Sequence, residues 1–232
     1  MIENMASKIL SLSRKSPARY PTARKRRRPL SRDTILRAAL KLIEDEGFDN
    51  FSMRHLGRAL NIEAMSIYHH FASKDDLLNG LLGLLGQERI KLLESITENS
   101  NSDDSWKKKI RLYLSAFRTV GRAYPEAFRL LAQRPVTTPE SGKAGKMYMD
   151  AIVETGLRGH DAVIAYRTIL CFASGFVLLE NAKTKPFYTT GSFDLEYEKG
   201  TELILTGIEQ CLQNRASPSR PKKPITSRKA GG

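Results

Sequence analysis

The stretch from Ser52 to Phe71, SMRHLGRALNIEAMSIYHHF, constrains this chain more than any other, because it reads as two short helices folded on each other with one face left free. The Ser52 hydroxyl is placed to accept from the unpaired N–H groups of an opening turn, with Phe51 before it stapling onto Leu56. Leu56, Ala59 and Leu60 share one apolar face. Gly57 falls where a second helix can cross closely, since no side chain holds the backbones apart, and Asn61 tolerates a left-handed turn. The chain is therefore expected to reverse at Asn61. Beyond it Ile67 and Phe71 lie four apart on a face that Ile62 extends, so the second helix docks through them. Met65 and His69 then point the opposite way, flanked by Ser66 and Tyr68. A short helix anchored on one side and presenting Ser, Tyr and His on the other is what a DNA major groove admits. A helical hairpin inside an all-α core would share the pattern without touching nucleic acid.

Helix signals precede and follow the hairpin at short spacing. Ser31 can cap a helix in which Ile35, Ala39, Leu42 and Ile43 recur at helical spacing and Asp33 sits near the positive N-terminal end. Gly47 stops it and Phe48 folds back. Ser73 with Asp76 three residues on reads as a capping box opening a long helix through about Glu98.

In the order of these parts, SRDTILRAALKLIEDEGFDNFSMRHLGRALNIEAMSIYHHFASKDDLL resembles the tetracycline-repressor (TetR) family of bacterial transcription regulators. The shared features are a first helix, a Gly–Phe stop, the hairpin, a Tyr-x-His-Phe end to the reading helix, then Lys74 and the Leu77–Leu78 pair. The likeness continues more weakly to about Asn214, through Ser105–Trp106, AQRP around Arg134 and Pro135, and DAVIAYRTILCFASGFVLLE from Asp161 to Glu180. The resemblance implies an all-α fold: a helix-turn-helix DNA-binding domain over 31–75, then a helical-bundle ligand and dimerisation domain over 76–213. It puts Arg54, Ala64, Met65, Ser66, Tyr68 and His69 at base- or phosphate-contacting positions, and His70 and Lys74 at adjacent backbone-contacting ones. It also implies a homodimer, a double-stranded DNA operator and a small-molecule effector. The family's founding members hold a magnesium–tetracycline chelate through His and Asn side chains. The matching positions here are Ile90, Tyr113 and Leu130, which supply neither a metal ligand nor that amide contact, so the expected effector is a mostly apolar molecule other than magnesium–tetracycline.

Charge is concentrated at the two ends. Residues 1–30 hold +8 and residues 214–232 hold +6 of the chain's +13, leaving −1 for residues 31–213. Net charge alone would not have identified the reading helix. Within the basic arm, Arg26, Arg27 and Arg28 stand just before the first helix, where arginines favour a narrow minor groove of A·T tracts. A solvated, disordered basic run is the other reading of that arm. The proline-interrupted C-terminal tail is expected to be disordered, with only nonspecific affinity for polyanions.

From Trp106 on, helices are expected near 106–123, 126–133, 141–156, 161–182 and 195–213. Ala162, Ala165, Ile169, Phe172, Ala173 and Phe176 form one long apolar face, and Leu195, Leu203, Ile204, Ile208 and Leu212 a second. Two such faces point to a four-helix interface with a twin chain through Ile169, Phe172, Phe176, Ile204 and Ile208, an intrachain core being the alternative. Tyr113, Phe117, Phe128, Met147 and Phe172 are candidate pocket lining, the alternative being plain core.

Other classes of function find little support. The four histidines lack ligand spacing, and no nucleophile–base arrangement, phosphate loop or HExxH motif occurs, so no metal, cofactor or catalysis is expected. Cys171 and Cys211 lie among apolar residues and read as buried free thiols, with a redox sensor as the minor reading. The opening MIENMASKIL has no long apolar core, so no secretory signal is expected. The apolar run Leu77–Gly86 is about ten residues where a bilayer needs about twenty. The expectation is a bacterial cytoplasmic, nucleoid-associated regulator that represses a palindromic operator until a small molecule releases it. A DNA binder with a solid second domain and no ligand, or a helical enzyme with an incidental hairpin, are the alternatives.

Overall fold

The computed structural model describes residues 30–97, 105–131, 139–182 and 192–216, and these residues form nine α-helices and one short 3₁₀ turn. The basic arm with Arg26, Arg27 and Arg28, the AQRP segment and the C-terminal tail lie outside the described residues.

Three of the first four helices, all but the third, start at a capping side chain. Helix α1 (Arg32–Glu46) starts where the Ser31 hydroxyl accepts from the Thr34 N–H at 3.2 Å. The turn Phe48–Asn50 leads into α2 (Met53–Leu60), capped by Ser52 accepting from His55 N–H at 3.1 Å. Asn61 is left-handed, with φ 54° and ψ 47°, and reverses the chain into α3 (Ala64–Tyr68). Helix α4 (Lys74–Thr97) opens with the expected reciprocal cap, for Ser73 accepts from Asp76 N–H and the Asp76 carboxylate accepts from Ala72 N–H, both at 3.0 Å. Such caps each stabilise a helix end by about 1 kcal/mol.

The second domain adds α5 (Trp106–Ala123), α6 (Pro125–Leu131), α7 (Pro139–Glu154), α8 (Gly159–Glu180) and α9 (Phe193–Ala216). Pro125 opens α6 at a position whose N–H would have no helical partner anyway.

Two cores result. Ile35, Ile43, Leu56, Ile67, Phe71, Leu77 and Leu81 bury the inner faces of α1 to α4, and Val120 and Ala127 extend that cluster into the second domain. Ile110, Leu114, Ile152, Ile169, Val177 and Leu205 bury the inner faces of α5, α7, α8 and α9. A second tie is ionic: the Arg118 guanidinium on α5 donates to both oxygens of Glu180 on α8, at 2.8 and 2.6 Å, and lies 2.7 Å from Asp194 on α9. Arg118 and Glu180 are about nine-tenths buried, and the two carboxylates hold the guanidinium pKa above its ordinary value although burial opposes them. A buried charge is tolerable only when paired this way.

One expectation is corrected. Cys171 and Cys211 are exposed, because each falls on the outward side of its helix and not on the core stripe. Ile169 and Ile208, expected at a dimer interface, already pack inside the chain, being 1% and 6% exposed. The outward side chains of α8 and α9 include Ile164, Thr168, Cys171, Leu179, Leu195 and Leu203.

Candidate nucleic-acid interface

The reading helix α3 has only five residues, too few to hold its shape alone. Its placement comes from neighbours. Ile67 and Phe71 are fully buried under it, as the four-residue spacing predicts. Against α2 the approach is set by Gly57: a Cβ there would lie 3.0 Å from the Ile62 carbonyl oxygen and 3.2 Å from the Ala64 nitrogen, both backbone. From the other end, the Arg32 guanidinium donates to the His70 carbonyl and lies 4.0 Å over the Phe71 ring. Arg32 is a contributor that periodicity missed, because its partner is a backbone oxygen far along the chain, which no sequence spacing encodes.

The opposite side of α3 is open. Met65 is 64% exposed and Tyr68 42%, with His69 also exposed and Ala64, Ser66 and His70 half-buried at the edges. Arg54 stands exposed on the first turn of α2. Apolar Met65 held in water gains nothing for the fold and is available for a base methyl or sugar contact.

Lys74 differs from the expectation. Its ammonium donates to the Phe51 carbonyl at 3.0 Å and lies 4.5 and 5.4 Å from the Phe48 and Phe51 ring centres. That lysine ties the start of α4 to the turn before α2, a structural task in addition to any phosphate contact.

In the second domain the candidate pocket residues separate. Tyr113, Phe117, Phe128 and Met147 lie around α5, with Phe117 edge-on to Phe128 at 5.4 Å between ring centres and Tyr113 tilted against Tyr148 at 4.8 Å. Phe172 is elsewhere, stacked on Tyr197 at 5.2 Å between α8 and α9. A groove of about 690 Å³ also runs between those two helices, walled by Leu157, Ile164, Thr168, Leu203, Gly207 and Cys211. Helix α8 is long and apolar enough by length and composition to cross a membrane. Its apolar side faces this groove and the core.

The family model described as "Bacterial regulatory proteins, tetR family" matches residues 35–81, the hairpin included, and that described as "Tetracyclin repressor-like, C-terminal domain" matches residues 99–186. The chain is 30% identical over 154 residues to the class A tetracycline repressor protein from transposon 1721 in Escherichia coli, covering 66% of this chain and 68% of that one. This protein belongs to the TetR family of transcriptional regulators. Solved structures agree in fold. ActR of Streptomyces coelicolor in complex with (S)-DNPA aligns with TM-score 0.65 at 20% identity, over 78% of this chain and 98% of that one. BioQ with its double-stranded DNA operator aligns with TM-score 0.61 at 20% identity, over 77% and 98%. As a TetR-family regulator the chain is a DNA-binding protein, and the matched segment contains α2 and α3.

Proposed function

We propose that this TetR-family protein is a ligand-released repressor that binds DNA as a homodimer in the bacterial cytoplasm. The observation that carries the DNA contact is the face of α3: Met65, Tyr68 and His69 project outward from a helix whose other side is fully buried. Arg54, Ala64, Ser66, His70 and Lys74 border that face, and Arg26, Arg27 and Arg28 precede α1 closely enough in sequence to follow the neighbouring minor groove. Dimerisation is supported by the apolar groove between α8 and α9 and by exposed Ile164 and Leu203, a surface too apolar to be left in water.

Ligand release would be coupling. A small organic molecule that favours the arrangement of the two domains mismatched to DNA lowers operator affinity by its differential binding to the two states. That ActR was solved with a small molecule and BioQ with an operator supports both halves of the proposal by kinship.

Selection of bound sites from random duplex DNA with the full chain tests the reading. The expected product is an inverted repeat with half-site centres about 34–36 Å apart or a small multiple of that. Unpaired half-sites, or no enrichment, would remove the dimeric repressor. Adding candidate compounds to the resulting complex then tests release.

A further inference from the structure

Arg89 stands on α4 against Phe117 of α5, and no carboxylate among the described residues pairs with its charge. Its Nε is buried and has no hydrogen-bond partner among the described residues. The guanidinium carbon lies 5.1 Å from the Phe117 ring centre, a cation–π contact that does not supply the acceptor the Nε hydrogen lacks. The adjacent carboxylate, Glu88, is engaged with Arg37 at 3.7 Å and Lys91 at 3.6 Å. Burial pushes the Arg89 pKa below its ordinary value, and the groups that partly offset this are the phenols of Tyr148 and Tyr166, with no carboxylate among them. Arg118 on the neighbouring helix provides the contrast, since two acids pair with that guanidinium and none among the described residues pairs with Arg89.

A second donor is nearby. The Tyr166 hydroxyl has no partner among the described residues, and Gly145 gives it room: a Cβ on Gly145 would lie 3.0 Å from that oxygen. Tyr148 differs, because its hydroxyl already donates to the Tyr113 carbonyl. Around Arg89 the structure therefore gathers a cation, one uncommitted hydroxyl and the rings of Phe117, Tyr113 and Tyr148. Removing a guanidinium from water without an acceptor is costly, and a carboxylate repays it best because two oxygens meet two parallel N–H groups.

We propose that Arg89 is the anchor of the effector site, and that the effector is an organic acid: one carboxylate held by the Arg89 guanidinium and the Tyr166 hydroxyl, on an aromatic or otherwise apolar body lying against Phe117 and Tyr113. This rests on the ligand-released reading above and narrows the mostly apolar molecule expected from the sequence to one with a single negative charge.

The test uses the full chain and a panel of arylcarboxylates from benzoate to anthracene-2-carboxylate, each matched with its neutral primary amide, in calorimetric titration and thermal melting. Acids that fit are expected to bind about tenfold or more tightly than their amides. Arg89→Met should abolish that preference and, by removing an unpaired buried charge, raise the melting temperature of the unliganded protein by about 2–4 °C. Tyr166→Phe should weaken the acids several-fold while leaving the amides unchanged. An Arg89→Met protein that melts lower, or that still prefers acids, would show the arginine to be structural and overturn the proposal. A panel in which no acid binds would also overturn it. Equal binding of acids and amides to both proteins removes the anionic anchor yet leaves a ligand-binding regulator standing, so the two readings fail separately.

Discussion

The Glu44 carboxylate of α1 accepts hydrogen bonds from the backbone N–H of Ala127 at 2.8 Å and of Glu126 at 3.2 Å, so the DNA-binding domain holds the start of α6 in the second domain. Helix N-terminal N–H groups have no partner within the helix, and here a side chain from the other domain supplies one. Burial raises the Glu44 pKa despite those two bonds. Between its ordinary value and its raised one, the folded state keeps a proton that the unfolded state has lost, so this group's contribution to stability falls as pH rises through that window. Glu44→Gln keeps one acceptor and should flatten the dependence of melting temperature on pH just above the ordinary glutamate value of about 4.3. Glu44→Ala leaves the N–H groups without a partner and should cost about 1–2 kcal/mol at neutral pH. If the glutamine variant shows the wild-type slope, Glu44 does not titrate in that window.

Tyr68 and Lys74 should part company on substitution. Tyr68→Ala is expected to weaken operator binding by about 1–3 kcal/mol with an unchanged melting curve, since the residue is exposed and outside both cores. Lys74→Ala removes the tie to Phe51 and the two rings, so it should lower the melting temperature as well as affinity. Gel-shift titration beside thermal melting separates them, and an unaffected operator affinity for Tyr68→Ala would remove α3 from the interface.

Gly57→Ala should destabilise the DNA-binding domain by about 1–3 kcal/mol, because the new methyl meets backbone atoms of Ile62 and Ala64 that cannot rotate away. Denaturant unfolding measures this directly. A neutral result would mean that α2 and α3 can separate slightly at no cost.

The proposed dimer has its own test at Leu203, which is 75% exposed on α9 beside the groove. Leu203→Glu should leave the isolated fold intact, whereas a charge at Ile208 would strike the chain's own core. Light scattering is expected to show a folded monomer that no longer binds the full operator. A variant that remains dimeric would move the interface away from this groove.

The DNA-binding domain was legible in the sequence almost residue by residue because local chemistry determines it. Ser52, Asn61 and the Ser73–Asp76 pair each declare a helix end through a bond to a neighbour a few residues away, and the structure has those bonds. The helices of the second domain were likewise readable, with α5 spanning 106–123 as the pattern predicts. What the pattern could not sort was which apolar positions on α8 and α9 face inward, because both helices are apolar on more than one side. Ile169 and Ile208 went inward, and Cys171 and Cys211 outward. Long-range partners were equally hidden: nothing in the spacing ties Arg32 to His70 or Glu44 to α6, and the unsatisfied Nε of Arg89 is visible only once the surrounding helices close on it.

The division of labour within α3 also bears on how such a protein diverges. Its fold depends on Ile67, Phe71 and the Gly57 crossing, while Met65 and Tyr68 contribute to neither core. Substitutions at the outward positions are therefore nearly free of thermodynamic penalty, and a lineage can exchange one target sequence for another without first acquiring spare stability.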